Sequence, residues 1–159
     1  MSISVLARQL IAQEIFRGLS PLQLTEIVRQ ADRVVYRPGQ YIIEAGAAAD
    51  AAVVIIAGDA IRFPDHPTGQ GAMQAEALSA GSLLSELAML VEHVHGATVI
   101  AHTTVRALRI TRAALQEQMR DDSHLADHFV ERIAERLSRV ATELRLIDHA
   151  LATAELAPA

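Results

Sequence analysis

The chain has 159 residues and a formal net charge of −5 at pH 7. This length is sufficient for a sizeable hydrophobic core, and the mild acidity argues against a dedicated nucleic-acid binder, because phosphate neutralisation requires clustered basic side chains. The absence of cysteine excludes a disulfide scaffold, a thiol nucleophile and a thiolate metal site.

Targeting and membrane-insertion signals are not expected from this sequence. The N-terminus has no basic region followed by a long apolar run, which is the pattern of a signal peptide. The longest apolar stretch, residues 51–58, lies between two aspartates and is far too short to cross a bilayer. We therefore expect a cytoplasmic protein without membrane insertion.

The N-terminal segment, residues 1–31, is predicted to form packing helices. Apolar side chains recur at helical spacing over residues 3–16. Residues 20–23 read Ser-Pro-Leu-Gln, the pattern of a capping box in which the serine caps the helix, the proline takes the first position and the glutamine reaches back. The helix that follows is predicted to end near Ala31.

The middle of the chain has the pattern of short strands separated by glycine and proline turns, which is typical of a β-sandwich, jelly roll or barrel. A loop with two prolines and two glycines covers residues 64–71. The predicted strands are residues 34–36, 41–43, 52–57, 61–63, 72–78, 97–101 and 105–110. Because helices flank them, we predict one α+β domain over residues 1–159, with a jelly-roll-like β-roll at 32–110 and C-terminal helices at 111–155.

The turn positions of this β-rich region resemble those of the cyclic-nucleotide-binding domain, a family found in catabolite-activator-type regulators, protein kinase A regulatory subunits and gated channels. The resemblance extends over residues 16–146 and implies a β-roll with flanking helices. The positions that match in the order of the family are Gly39, Ile42, Gly46, Asp50 and Gly58.

Residues 81–99 resemble the phosphate cassette of that family, a short helix followed by a loop and a strand. The matching ligand-site positions are Leu84, Ser85, Glu86, Leu87, Ala88, His95, Gly96, Ala97 and Thr98. The resemblance implies that Glu86 accepts a hydrogen bond from a ribose hydroxyl and that helix N-terminal N–H groups face the phosphate. Cyclic AMP or cyclic GMP is the ligand so implied, with no catalytic residue and no metal.

Two cassette positions depart from the family pattern. Ser85 stands where the family has glycine, and His95 stands where the family has the arginine that neutralises the phosphate. No arginine or lysine lies between Phe63 and Arg106. Replacing a charged bidentate contact by one neutral hydrogen bond costs on the order of a few kcal/mol, which is about a hundredfold or more in affinity.

Three interpretations of this altered cassette stay open. The pocket binds a cyclic nucleotide weakly or in a modified way, or it binds a different small anion or metabolite. In the third interpretation the pocket has lost its ligand, and the domain is a dimerisation and protein-interaction module that regulates a partner protein. No arrangement of serine, histidine and aspartate resembles a nucleophile elbow, so we do not expect an enzyme.

The C-terminal segment is predicted to form a long helix from about residue 123, since neither glycine nor proline occurs up to residue 155. Its apolar residues follow a heptad pattern that predicts a parallel homodimer, while packing on the β-roll of the same chain is the alternative. The seam consists of Leu137, Val140, Leu144, Ile147 and Leu151. The flanking charges are expected to be solvated: Arg132, Glu135, Arg136, Arg139, Glu143, Arg145 and Asp148.

Catabolite-activator-type regulators continue into a helix-turn-helix, for which nothing after Leu151 is suitable, so we expect no nucleic-acid partner. Two histidine groups are weaker signals. His124 and His128 have metal-ligand spacing, but no third ligand is fixed, and a surface face is the favoured interpretation. His93, His95 and His102 are candidates for a pH-responsive patch, since histidine titrates near neutrality.

Overall fold

The computed structural model describes residues 1–64 and 75–156. Most of the predicted loop at 64–71 and the first part of the predicted strand at 72–78 lie outside these residues. The helices are α1 (Ile3–Ile11), α2 (Pro21–Gln30), α3 (Arg112–Asp121) and α4 (Ser123–Leu156), with 3-10 turns at Glu14–Phe16 and Glu86–Met89. The strands are β1 (Asp32–Tyr36), β2 (Tyr41–Ile43), β3 (Ala48–Ala49), β4 (Ala51–Ala57), β5 (Ala60–Pro64), β6 (Glu76–Leu78), β7 (Leu83–Leu84), β8 (His93–Val94), β9 (Ala97–Ala101) and β10 (Val105–Thr111).

The N-terminal helices follow from local sequence signals. The capping box of α2 is present, because Ser20 accepts a hydrogen bond from the Gln23 N–H while the Gln23 side chain accepts one from the Ser20 N–H. The prediction of one helix over residues 3–16 is wrong, since α1 ends at Ile11 and a separate 3-10 turn follows. This break allows Ile15 and Phe16 to be buried next to α4.

The strands form two antiparallel four-stranded sheets and one small two-stranded sheet, so the predicted α+β architecture with a β-roll and a long C-terminal helix is confirmed. The strand orders are β1-β10-β4-β7, β2-β9-β5-β6 and β3-β8. The sequence did not predict β3, β7 and β8, because a two-residue strand is too short to show an alternating pattern.

Strand β4 lies between two hydrophobic cores and is buried almost throughout. Ala52, Val54 and Ile56 belong to the core that the helices form. Val53 and Ile55 belong to the core inside the β-roll. Successive side chains of a strand point to opposite faces, so an uninterrupted apolar sequence is required for this strand to serve both cores.

The first half of α4 packs against the domain, with Leu125 and Phe129 buried. Most of its flanking charges are exposed to solvent, as expected, and three of the arginines also contact the domain. Arg132 donates to the carbonyl of Arg17 at 3.1 Å, and Arg139 donates to a carboxylate oxygen of Glu14 at 3.3 Å. Arg136 is ion-paired with a glutamate of the cassette, as described below.

His128 is also held by the domain, since its Nε2 lies 2.8 Å from the carbonyl oxygen of Ile15. The favoured surface interpretation of His124 and His128 is therefore wrong for His128. The described residues contain no group of three or more potential ligands able to hold a metal ion. Within the same residues, no helix combines the length and the apolar character that crossing a membrane requires.

The turn between β4 and β5 depends on Gly58. Its φ is +94°, and a Cβ built there would lie 2.2 Å from the carbonyl oxygen of Thr104. Gly39 provides a matched comparison, because its φ is +87° but a Cβ there would meet nothing within 4 Å.

We expect Gly58→Ala to lower the free energy of unfolding by at least about 3 kcal/mol, because backbone strain and a backbone clash add. Gly39→Ala should cost about 1 kcal/mol, from the left-handed conformation alone. Urea denaturation of both variants provides the measurement. Equal losses would show that the close approach of Gly58 to Thr104 does not constrain the turn.

Candidate functional site

The cassette begins with a left-handed residue. Ser85 follows β7 with φ +54° and ψ +44°, and it is the only described non-glycine residue with positive φ. This conformation costs a residue with a Cβ about 1–2 kcal/mol. The conformation gives a physical reason for glycine at the matching position of the family and makes Ser85 a locally strained substitution.

Ser85 lines an open cavity of about 290 Å³ on the β-roll, which we call the roll cavity. Its lining consists of Ile43, Arg62, Ser85, His93, His95, Gly96, Ala97 and Val99. The Ser85 hydroxyl lies 3.1 Å from Nδ1 of His95. The rings of His93 and His95 meet edge to face with their centroids 6.0 Å apart.

His95 is poorly suited to carry a charge in the unliganded cavity. Burial lowers its pKa from the ordinary value, and the neighbouring His93 lowers that pKa further, while Asp50 acts in the opposite direction. A histidine with a lowered pKa is mostly neutral near pH 7. At this pH the cavity therefore offers an imidazole where the family has a permanently charged guanidinium.

Arg62 on β5 is a cavity residue that the sequence analysis missed. It is paired in register with Val99 of β9 on one side and with Glu76 of β6 on the other. Its Nη1 lies 3.0 Å from a carboxylate oxygen of Glu76. Arg62 directly precedes the interval from Phe63 to Arg106 that has no basic residue, and its signal in the sequence is a lone arginine in an otherwise apolar strand.

Glu86 does not line the roll cavity. Its carboxylate is paired with the Arg136 guanidinium of α4, and it lines a second cavity of about 350 Å³, the α4 groove. The α4 groove is lined by Glu14, Ile15, Glu86, Leu87, Arg132, Ile133, Glu135, Arg136, Arg139, Val140 and Glu143. The expected ribose-binding acid and the expected phosphate-contacting residue thus line two different cavities.

The other predicted site residues have distinct positions. Gly96 and Ala97 line the roll cavity together with His95 and Ser85. Leu84 and Ala88 are buried in the hydrophobic interior, and Leu87 faces the α4 groove. The hydroxyl of Thr98 accepts a hydrogen bond from the Ala45 N–H at 3.1 Å, which ties the strand after the cassette to the β2–β3 turn.

Arg112 holds the cassette in place through hydrogen bonds to backbone carbonyls, which the sequence did not indicate. Its Nη1 donates to the carbonyls of Ala49, Ala88 and Val91 at 2.9, 3.0 and 3.2 Å. These carbonyls belong to two separate segments of the chain, β3 and the 3-10 turn with the residues that directly follow it. A single largely buried guanidinium therefore joins the 3-10 turn of the cassette to β3 and to the start of α3.

An antiparallel β-roll with a turn-and-strand cassette beside an open cavity defines the class of the domain. A family model described as cyclic nucleotide-binding domain matches residues 33–122. The chain belongs to the cyclic nucleotide-binding domain family, whose members are regulatory and sensor domains and are generally non-catalytic. No curated protein matches the sequence.

Solved structures share this fold. The N-terminal domain of a transcriptional regulator from Streptomyces coelicolor A3(2) has 20% identity and a TM-score of 0.77, covering 86% of this chain and 94% of that one. The sensor domain of the transcriptional regulator DNR from Pseudomonas aeruginosa has 24% identity and a TM-score of 0.66, covering 89% and 94%. The regulatory domain of Toxoplasma gondii PKA, solved with cAMP, has 21% identity and a TM-score of 0.64, covering 84% and 50%.

The strain at Ser85 predicts an order of stability between two substitutions. Ser85→Gly and Ser85→Ala both remove the hydroxyl, but only glycine adopts the left-handed backbone without steric cost. We expect the glycine variant to be more stable by about 1 kcal/mol, as measured by urea denaturation. At Ser82, whose φ is not positive, we expect the alanine variant to be more stable than the glycine variant. A more stable glycine variant at both positions would contradict the backbone strain at Ser85.

Proposed function

We propose that this domain is a non-catalytic sensor module whose roll cavity binds a cyclic nucleotide, or another small anion, more weakly than an arginine-bearing cassette would. The observation that carries the proposal is His95, which lines the cavity and which the resemblance of residues 81–99 to the phosphate cassette matches to the phosphate-binding arginine. Family membership supports a nucleotide ligand, as does a structural neighbour that was solved with cAMP.

The charge of the cavity supports weakened rather than ordinary binding. Because the pKa of His95 is lowered, the permanent positive charge in the cavity lining comes from Arg62. Arg62 is already paired with Glu76. Glu86, the expected ribose partner, is paired with Arg136. A ligand that used this carboxylate would have to compete with that ion pair.

Titration calorimetry with cyclic AMP and cyclic GMP tests the proposal. We expect weak saturable binding to the wild-type chain and at least about tenfold tighter binding to His95→Arg, because a permanent charge replaces a neutral imidazole. His102→Arg is the matched control, since it adds the same charge at an exposed position outside the cavity. No heat from either protein at millimolar ligand would contradict a nucleotide-binding function.

A second candidate function, homodimerisation through α4, is supported by its exposed apolar stripe. Leu137, Val140 and Leu144 are 62%, 44% and 57% exposed, although leucine and valine are usually buried. Val130 continues the same heptad positions toward the N-terminus and is exposed as well. The seam then extends over about three heptads, the length at which a coiled coil becomes plausible. In the absence of a ligand, such a dimer would itself be the regulatory unit that acts on a partner protein.

Leu144→Asp tests the dimer. We expect its dissociation constant to rise at least about a hundredfold, because each copy loses a buried leucine and places a charge in the seam. Leu146→Asp is the matched control, since Leu146 is equally apolar and 65% exposed but lies outside the heptad seam. Sedimentation velocity over a concentration series measures both variants. A dimer that tolerates Leu144→Asp would refute this seam.

A further inference from the structure

We infer that Arg62 is the phosphate-binding cation of the roll cavity and that a phosphate group must displace Glu76 to bind it. The inference rests on the proposed function, because it takes the roll cavity to be the ligand site. It goes beyond that proposal by assigning the positive charge to β5, a strand outside the cassette segment of residues 81–99.

The lining of the roll cavity is suited to a phosphate. Its polar side chains are a guanidinium, two imidazoles and a hydroxyl, and no carboxylate is among the described residues that line it. All four groups can donate hydrogen bonds, and three of them carry or can gain a positive charge. Several separate donors match a phosphate group better than a carboxylate, because the tetrahedral phosphate oxygens, two of them free and two esterified in a cyclic nucleotide, accept hydrogen bonds from more directions than two coplanar oxygens.

The position of Arg62 allows it to change partners. Arg62 and Glu76 are directly opposite each other on neighbouring antiparallel strands. Their side chains are 35% and 59% exposed, and ion pairs between such exposed groups contribute little to stability. A phosphate can therefore replace the carboxylate without a large loss, while the forked guanidinium gains a doubly hydrogen-bonded anion.

The volume of the cavity and the position of Glu86 indicate that the phosphate dominates recognition. At about 290 Å³ the cavity lies at the lower limit for small-molecule pockets. Glu86, which would recognise a ribose, lies in the α4 groove and is paired with Arg136. The anionic group of a ligand, more than its sugar or base, should determine the affinity.

The test is an NMR titration of the full chain with cyclic AMP, inorganic phosphate and adenosine as probes. We expect both phosphate-bearing probes to shift the resonances of the roll cavity and adenosine to leave them unchanged. Arg62→Gln should weaken binding of cyclic AMP at least about tenfold. Glu76→Gln retains Arg62 and removes its competitor, so it should tighten binding several-fold. Arg106→Gln removes an exposed charge on β10 outside the cavity and should have no effect beyond general screening.

The results separate this inference from the proposed function. If His95→Arg binds cyclic AMP and adding Arg62→Gln does not weaken that binding, the inference is overturned and the sensor function stands. If Glu76→Gln weakens the binding of cyclic AMP, the proposed competition between Glu76 and the phosphate for Arg62 is overturned. This result decides the point even if Arg62→Gln proves unstable. If no probe binds the wild-type chain or His95→Arg, both proposals fail. Adenosine binding as tightly as cyclic AMP would also overturn the role of the phosphate.

Discussion

The alternation of side chains along β4 is the constraint on which the rest of this molecule depends. Three of its residues pack into the helical core and the two between them pack into the interior of the β-roll. A shift of one residue in the register of this strand would exchange the two sets, so that Ile55 would face the helices and Val54 the roll. The pairing of β4 with β10 and β7 therefore determines which side chains each core receives.

This register also determines where the cassette lies. Val53 is paired with Leu84, the residue immediately before Ser85, and the Gly81 N–H donates to the carbonyl of Ile55. On the other side of β4, strand β10 leads directly into Arg112, which holds the far end of the cassette turn. The turn is thus fixed at both ends by elements attached to one buried strand, and this rigidity keeps Ser85 in its left-handed conformation.

Features of the sequence that act over a few residues were predictable. The predictions of the capping box at Ser20 and of the main strands are correct, because helix capping and side-chain alternation each depend on a few neighbouring residues. The charged contacts were not predictable, because they join positions far apart in sequence. Arg136 and Glu86 are separated by fifty residues, and nothing in the helical pattern of α4 distinguishes Arg136 from its neighbour Arg132.

The separation of contacting residues along the sequence also explains why the site was only partly predicted. The resemblance identified the cassette and the unusual His95, because these lie in one continuous segment. It did not identify Arg62, which enters the cavity from β5 through sheet pairing with β9. It also could not show that Glu86 and His95 face different cavities, since only the tertiary structure determines which side each residue faces.

The anchoring of α4 at one end gives it the mechanics of a lever arm. Its fixed end is held by contacts to the domain at Arg132, Arg136 and Arg139, whereas residues 142–154 are exposed throughout. From residue 141 to 156 the helix extends about 22 Å, so a tilt of about 10° at the fulcrum would displace its tip by about 4 Å. Because the pair of Glu86 and Arg136 lies at this fulcrum, a small rearrangement of the cassette would be amplified along the helix.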